Sequence, residues 1–200
     1  MIKFNVENTA IDTKHSKSAS KIVEMIKEGN KLGDKLLDYG CGTGRNIRYI
    51  MDKTNNIIID GTDIIEQLKK QHDKHDILRK KGVYINVSNN IKNNYYNYVL
   101  CSHVLNVIES DDIKLTVLQN IHNKLVNNGI AIIEVRTKND VESAKTKEKY
   151  GNGYKIKKGN SFTYQEAITK EKMETLVKNA GFEILEHIFN ASNHIIIIRK

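Results

Sequence analysis

One stretch constrains the fold more than any other: Leu36-Leu37-Asp38-Tyr39-Gly40-Cys41-Gly42-Thr43-Gly44-Arg45-Asn46. An apolar run ends in an acidic residue, three glycines alternate with small side chains, and Ile47, Tyr49 and Ile50 follow at the spacing of a helix start. This is a strand, a tight turn and a helix. Alternating glycines permit positive φ and remove the Cβ atoms that would hold a ligand away from the main chain. Such a loop can offer backbone N–H groups to a ligand at a helix N-terminus. A dinucleotide fingerprint needs a third glycine where this chain has Arg45. The G-x-G-x-G spacing behind Asp38 therefore points to another cofactor, the bare alternative being a glycine turn that holds nothing.

The rest of the chain alternates strands with helices. Asn56 to Asp63 contains a β-branched run too continuous to face water, as in a parallel strand covered by helices. Asp63 lies about 20 residues beyond the loop, the separation at which a second strand tip brings a carboxylate to ribose hydroxyls. Asp60 is the weaker candidate, because it precedes Gly61 and points off the strand. Val83 to Val87 reads as a third strand and Tyr98 to Ser102 as a fourth, running into His103-Val104-Leu105-Asn106. Ser110 caps a helix carrying Ile113, Val117, Leu118, Ile121 and Leu125 and ending near Asn128-Gly129, before a fifth strand from Ile130 to Val135. Met173, Leu176, Val177 and Ala180 form the last helix face, and Phe182 to Phe189 and His194 to Arg199 pair as a hairpin. Ile195 to Ile198 lacks polar alternation and should lie inside the sheet.

Ser18 can cap an N-terminal helix with the apolar face Ile22, Val23 and Ile26, closed by Gly29. Residues 64 to 81 form a charged amphipathic segment. His72 and His75 share a helix face there without a third ligand, so a solvated face is expected and no metal.

Composition enters where partners are concerned. The net charge of +8 favours an acidic partner such as nucleic acid, yet the chain is rich in Lys, Asn and Ile and has no Pro, a bias that a genome can impose without selecting a basic surface. Tyr150 to Lys158 is the best local basic patch with interleaved aromatics, and a lysine-solvated loop is the bland reading. Two cysteines make no disulfide framework, and the aliphatic run Ile195 to Ile198 is far too short to span a bilayer. A cytoplasmic protein without a membrane segment is expected.

At Asp38 to Gly44 the chain resembles the class I S-adenosylmethionine-dependent methyltransferases, whose first motif reads roughly D-x-G-C-G-x-G. Gly61-Thr62-Asp63-Ile64 is similar to their G-x-D-hydrophobic pattern. The resemblance implies an α/β, Rossmann-like fold: a seven-stranded, mostly parallel sheet with an antiparallel last strand and helices on both faces. It implies one methyltransferase domain over 1–200, with a helical lead-in over 1–34 and a polar Lys-rich loop or cap over 137–165. S-adenosylmethionine is the implied cofactor, with Asp38, Gly40, Gly42 and Gly44 around its methionine portion and Cys41 beside them. Asp63 would hold the ribose, and Ile64 with the Asn86 to Asn90 turn, Ser88 included, would meet adenine. The family commonly has an Asp in that turn, where Asn86 offers its acceptor instead.

Cys101, Ser102, His103 and Asn106 would face the reacting methyl group, with Cys101 also a cofactor contact. Proline-dependent N-P-P-Y and cytosine-C5 chemistries are disfavoured, the first by the absence of Pro and the second because Cys101 follows Leu100. The expected reaction is methyl transfer to an O or N atom of a small molecule or nucleic acid. His103 could remove the acceptor's proton or merely shape the pocket, which geometry decides. A non-catalytic protein that binds the cofactor or its product is the rival reading. Thr9-Ala10-Ile11, Asp38 to Gly42, Val104 to Glu109 and Ser161-Phe162-Thr163 also resemble proteins assigned as methyltransferases in DNA phosphorothioation systems. Acceptor and oligomeric state stay open.

Overall fold

The computed structural model describes residues 9, 12, 14–29 and 34–200. Ala10, Ile11 and the remainder of the expected lead-in (1–8, 13 and 30–33) lie outside the described residues. In chain order the elements are α1 (Lys17–Gly29), β1 (Lys35–Tyr39), α2 (Arg45–Lys53), β2 (Ile58–Thr62), α3 (Ile65–Lys70), α4 (His72–Arg79), β3 (Tyr84–Asn86) and β4 (Tyr96–Ser102). Then follow α5 (Asp111–Lys124), β5 (Leu125–Arg136), α6 (Lys138–Glu142), β6 (Lys147–Tyr150), β7 (Gly153–Lys158), β8 (Ser161–Gln165), α7 (Lys170–Asn179), β9 (Glu183–Phe189) and β10 (Asn193–Arg199).

Seven strands form one sheet in the order β3-β2-β1-β4-β5-β10-β9. The first five are parallel, and β10 runs antiparallel between β5 and β9, which puts the unalternated Ile195 to Ile198 run inside the sheet. Strand order reverses between β1 and β4, the place where ligands bind in sheets of this kind. Odd and even positions divide two cores. Leu37, Val99, Ile133 and Ile196 pack with α5 and α7, whereas Leu36, Leu100, Ile132 and Ile197 pack with α1, α2 and α4.

Four expectations change. Ser16, not Ser18, caps α1, its Oγ accepting from Ala19 N–H at 3.1 Å. Helix α5 stops at Lys124 because Leu125, fully buried, is taken by the sheet opposite Tyr96. His75 turns inward and is fully buried, while His72 lies beside Asp73 and Asp76 on the surface. Most of the expected Lys-rich loop is a folded three-stranded antiparallel sheet, β6-β7-β8, with Gly151 and Gly159 at positive φ in its two turns. Among the described residues, no helix is long and apolar enough to cross a membrane, and no cluster of three or more His, Cys, Asp or Glu side chains could hold a metal ion.

The small sheet is tied down by buried charge. Lys114, with no exposed surface, reaches Glu166 Oε2 at 2.6 Å and Asp111 Oδ1 at 2.7 Å, and Lys172 holds Glu166 Oε1 at 2.6 Å. Removing one member strands a buried carboxylate, which costs about 3–5 kcal/mol. Because Lys172 remains, Lys114→Met is expected at the lower end, about 3 kcal/mol. Urea unfolding checks this, and an unchanged midpoint would show the network to be energetically idle.

Candidate functional site

The loop after β1 takes left-handed backbone at Gly40 (φ 78°), Gly42 (φ 51°) and Gly44 (φ 73°). A Cβ on Gly40 would stand 2.3 Å from Val104 Cγ2, so this position needs glycine for space as well as conformation. Gly40 and Cys41 N–H donate to Thr62 O at 2.8 and 3.0 Å, and Gly42 N–H donates to Asp63 Oδ2 at 2.7 Å. Asp63 Oδ1 accepts from Ile64 N–H at 2.8 Å. From the other side, His75 Nε2 meets Gly42 O at 2.7 Å. The loop is therefore held by β2 and by α4.

A cavity of about 610 Å³ opens over the carboxyl ends of β1, β2 and β4. Gly40, Cys41, Gly42, Asp63, Ile64 and Ser88 line it, as do Ser102 and His103. Other expected contacts do not. Gly44 packs against α4, where a Cβ would meet Leu78 Cδ1 at 2.4 Å. Asn86 spends its amide within the turn, on Tyr84 Oη, Val87 N–H and Asn90 Nδ2. Cys101 is fully buried in the α5–α7 core, because strand alternation turns it away from the cavity. Asn106 is also fully buried, donating to Glu166 O at 2.6 Å and accepting from Arg136 N–H at 2.9 Å. Asp60, set aside in favour of Asp63, accepts from Tyr96 Oη at 2.7 Å.

Asp38 lies beneath the loop, 1% exposed, with neither carboxyl oxygen hydrogen-bonded. Burial, with Asp63 nearby, pushes it up to about 7 against the pull of Arg45. Asp63 is pushed up to about 6 by burial, its two backbone hydrogen bonds working the other way. Both groups favour a cation beside them.

Sequence reading missed Glu134. It is fully buried, and Oε2 accepts from Ser18 N–H (2.9 Å), Ser18 Oγ (2.5 Å) and Ser102 Oγ (3.4 Å). Oε1 lies 3.5 Å from His103 Nε2. An acidic residue within the aliphatic run Ile130 to Val135 was the available signal, since a buried charge needs partners. His103 takes φ 59°, unusual for a residue with a Cβ, and its N–H donates to Glu134 O at 2.8 Å. Burial, outweighing Glu134, lowers His103 to about 4, with Arg136 and Arg45 adding to the fall. Arg45, Arg136 and Gln165, also unforeseen, complete this end of the cavity.

The chain matches the family model of a methyltransferase domain over residues 12–187. It belongs to that methyltransferase-domain family. Three solved structures share the fold of this methyltransferase domain. An S-adenosylmethionine-dependent methyltransferase of Clostridium acetobutylicum ATCC 824 superposes with a TM-score of 0.71 at 17% identity, covering 94% of this chain and 92% of that one. The 1,6-didemethyltoxoflavin-N1-methyltransferase of Burkholderia thailandensis, solved with 1,6-didemethyltoxoflavin and S-adenosylhomocysteine, gives 0.64 at 17%, covering 92% and 78%. A methyltransferase of the same cofactor class from Methanosarcina mazei gives 0.70 at 13%, covering 88% and 96%. No curated protein matches the chain in sequence.

Asp38 makes the methyltransferase domain sensitive to pH. Its folded pKa lies above the ordinary 3.8, so the folded chain keeps a proton that the unfolded chain releases between 3.8 and about 7. Stability therefore falls as pH rises through that window. Asp38→Asn should flatten the decline, read as urea midpoints at pH 5 and pH 8 without added ligand. An equally steep decline in the variant would clear Asp38 of this role.

Proposed function

We propose that this methyltransferase domain binds S-adenosylmethionine in the cavity beside the glycine loop and transfers its methyl group to an O or N atom of an acceptor held at His103. The supporting observation is the contact between the loop and Asp63: the carboxylate that anchors Gly42 N–H also lines the cavity. Each of its oxygens keeps a lone pair for a ribose hydroxyl. The orphaned Asp38 carboxyl suits the cationic methionine portion. Ile64, half exposed on the cavity wall, and the Val87 to Asn89 turn offer adenine an apolar edge and polar main chain.

S-adenosylmethionine supplies a methyl group on a sulfonium sulfur, which keeps the electron pair of the broken bond. The chain's own residues position the acceptor in line and manage its proton. His103 is neutral near pH 7, so its ring can take that proton, and Glu134 counters the charge that results. The N-methylation named for the Burkholderia protein fits an N or O acceptor here without choosing between them. Nucleic acid belongs in the acceptor screen, because Lys149, Tyr154 and Gln165 form one row across the small sheet and Gln165 lines the cavity. A cytoplasmic setting is part of the same proposal, and both cysteines are free thiols.

Calorimetric titration with S-adenosylmethionine and S-adenosylhomocysteine tests the reading. Binding should weaken about 10- to 150-fold in Asp63→Ala, the worth of a charged hydrogen-bonding group. No binding of either ligand would overturn the proposal, and binding without turnover on any acceptor would favour a cofactor-sensing protein. Once an acceptor turns over, His103→Ala should lower kcat by about 10²–10⁴. With S-adenosylmethionine and acceptor both saturating, wild-type kcat should not fall between pH 8 and pH 6, since the base form of His103 persists down to about 4.

A further inference from the structure

The cavity is electrically divided. Its lining carboxylates, Asp63 and Glu66, belong to the β2–α3 side. Arg45 and Arg136 line the cavity together with His103. Arg136 is close enough to Arg45 to disfavour its charge, and both depress His103. Their counter-charges stand behind the wall: Asp38 and Glu134 are buried outside the cavity lining, and Asp140 pairs with Arg136 at 2.5 Å from α6. One contact to Asp140 leaves most of the five guanidinium N–H donors of Arg136 for another partner. Beside this cationic end the wall is apolar, formed by Val104, Val107 and Ile108.

Arg136 is half-buried on the cavity wall and keeps guanidinium N–H donors beyond its one contact to Asp140. The planar donor fork of arginine matches an oxyanion in bidentate fashion. Arg45 directly follows the glycine loop, on the cofactor's side of the cavity. Arg136 ends β5, two strands across the sheet from β1. Resting on the function proposed above, we infer that the methyl acceptor carries an oxyanion, a carboxylate or a phosphate, on an apolar body, and that Arg136 is the residue that grips it. The acceptor atom then lies within reach of His103 while the anion stays two strands away from the loop.

The probes are benzoate, phenyl phosphate and neutral benzamide, titrated into the protein saturated with S-adenosylhomocysteine and followed by amide-proton NMR shifts. Benzoate or phenyl phosphate should bind saturably and benzamide at least tenfold more weakly, and whichever anion binds more tightly names the class. Arg136→Gln should weaken the anion about 10-fold or more. S-adenosylhomocysteine binding should stay within twofold of wild type in the same variant. Benzamide binding as tightly as the anions, or an unchanged anion affinity in Arg136→Gln, overturns the inference. So does competition between benzoate and S-adenosylhomocysteine, which would place the anion at the cofactor's own carboxylate. Should Arg136→Gln fail to fold, the wild-type comparison of benzoate with benzamide decides alone. Failure of S-adenosylhomocysteine to bind falsifies the cofactor reading separately, since the anion preference is then measured on the protein without it.

Discussion

Three hydrogen bonds from the glycine loop to the tip of β2, with a fourth from Ile64 within that tip, carry the site. Gly40 and Cys41 donate to Thr62 O, and Gly42 and Ile64 donate to the Asp63 carboxylate. A loop with three left-handed glycines has no ladder of its own, so its shape must come from outside. The parallel register Asp38↔Gly61 and Tyr39↔Thr62 brings the two strand tips level. A slip of one residue would turn Asp63 to the other face and leave Gly42 N–H without its acceptor. The separation of about 20 residues seen in the sequence is thus the folded contact itself, written along the chain.

Strand parity then decides which side chains serve the cavity. Within β4, Cys101 faces the α5–α7 core and Ser102 faces α1. Ser102 stands opposite Glu134 in β5, and Glu134 reaches Ser18 in the first turn of α1. One carboxylate therefore joins two strands and a helix immediately behind His103. The strained backbone of His103 persists because its N–H is bonded to Glu134 O while its ring packs beside the same residue's side chain.

The fold was legible because its signals were local and redundant. The glycine loop, the aliphatic strands and the interior run Ile195 to Ile198 each imposed one element, and the resemblance to class I methyltransferases implied the sheet that joins them. The loop and Asp63 were legible for the same reason. Cys101 and Asn106 were misplaced because nearness to a strand tip does not reveal facing, and the α5–α7 side of β4 emerges only when both layers are in place. His75 was read as surface because its partner, Gly42 O, lies 33 residues away. The β6-β7-β8 sheet was hidden by lysines, although Gly151-Asn152 and Gly159-Asn160 are two-residue turn signals between short runs of Tyr, Ile and Phe. Arg136 carried no local sign, since only the end of β5 places it against the cavity.

The distribution of buried charge sets the electrostatics of the site. A fold shaped for stability alone would bond both oxygens of a carboxyl buried as deeply as Asp38, because a buried acceptor without a donor costs about 1–3 kcal/mol. This chain leaves both Asp38 oxygens and Glu134 Oε1 unbonded while placing Arg45 and Arg136 on the wall in front of them. On the proposed reading, a cationic ligand portion above Asp38 and an oxyanion before Arg136 would meet these charges. Ligand binding and the relief of buried electrostatic cost would then be one event.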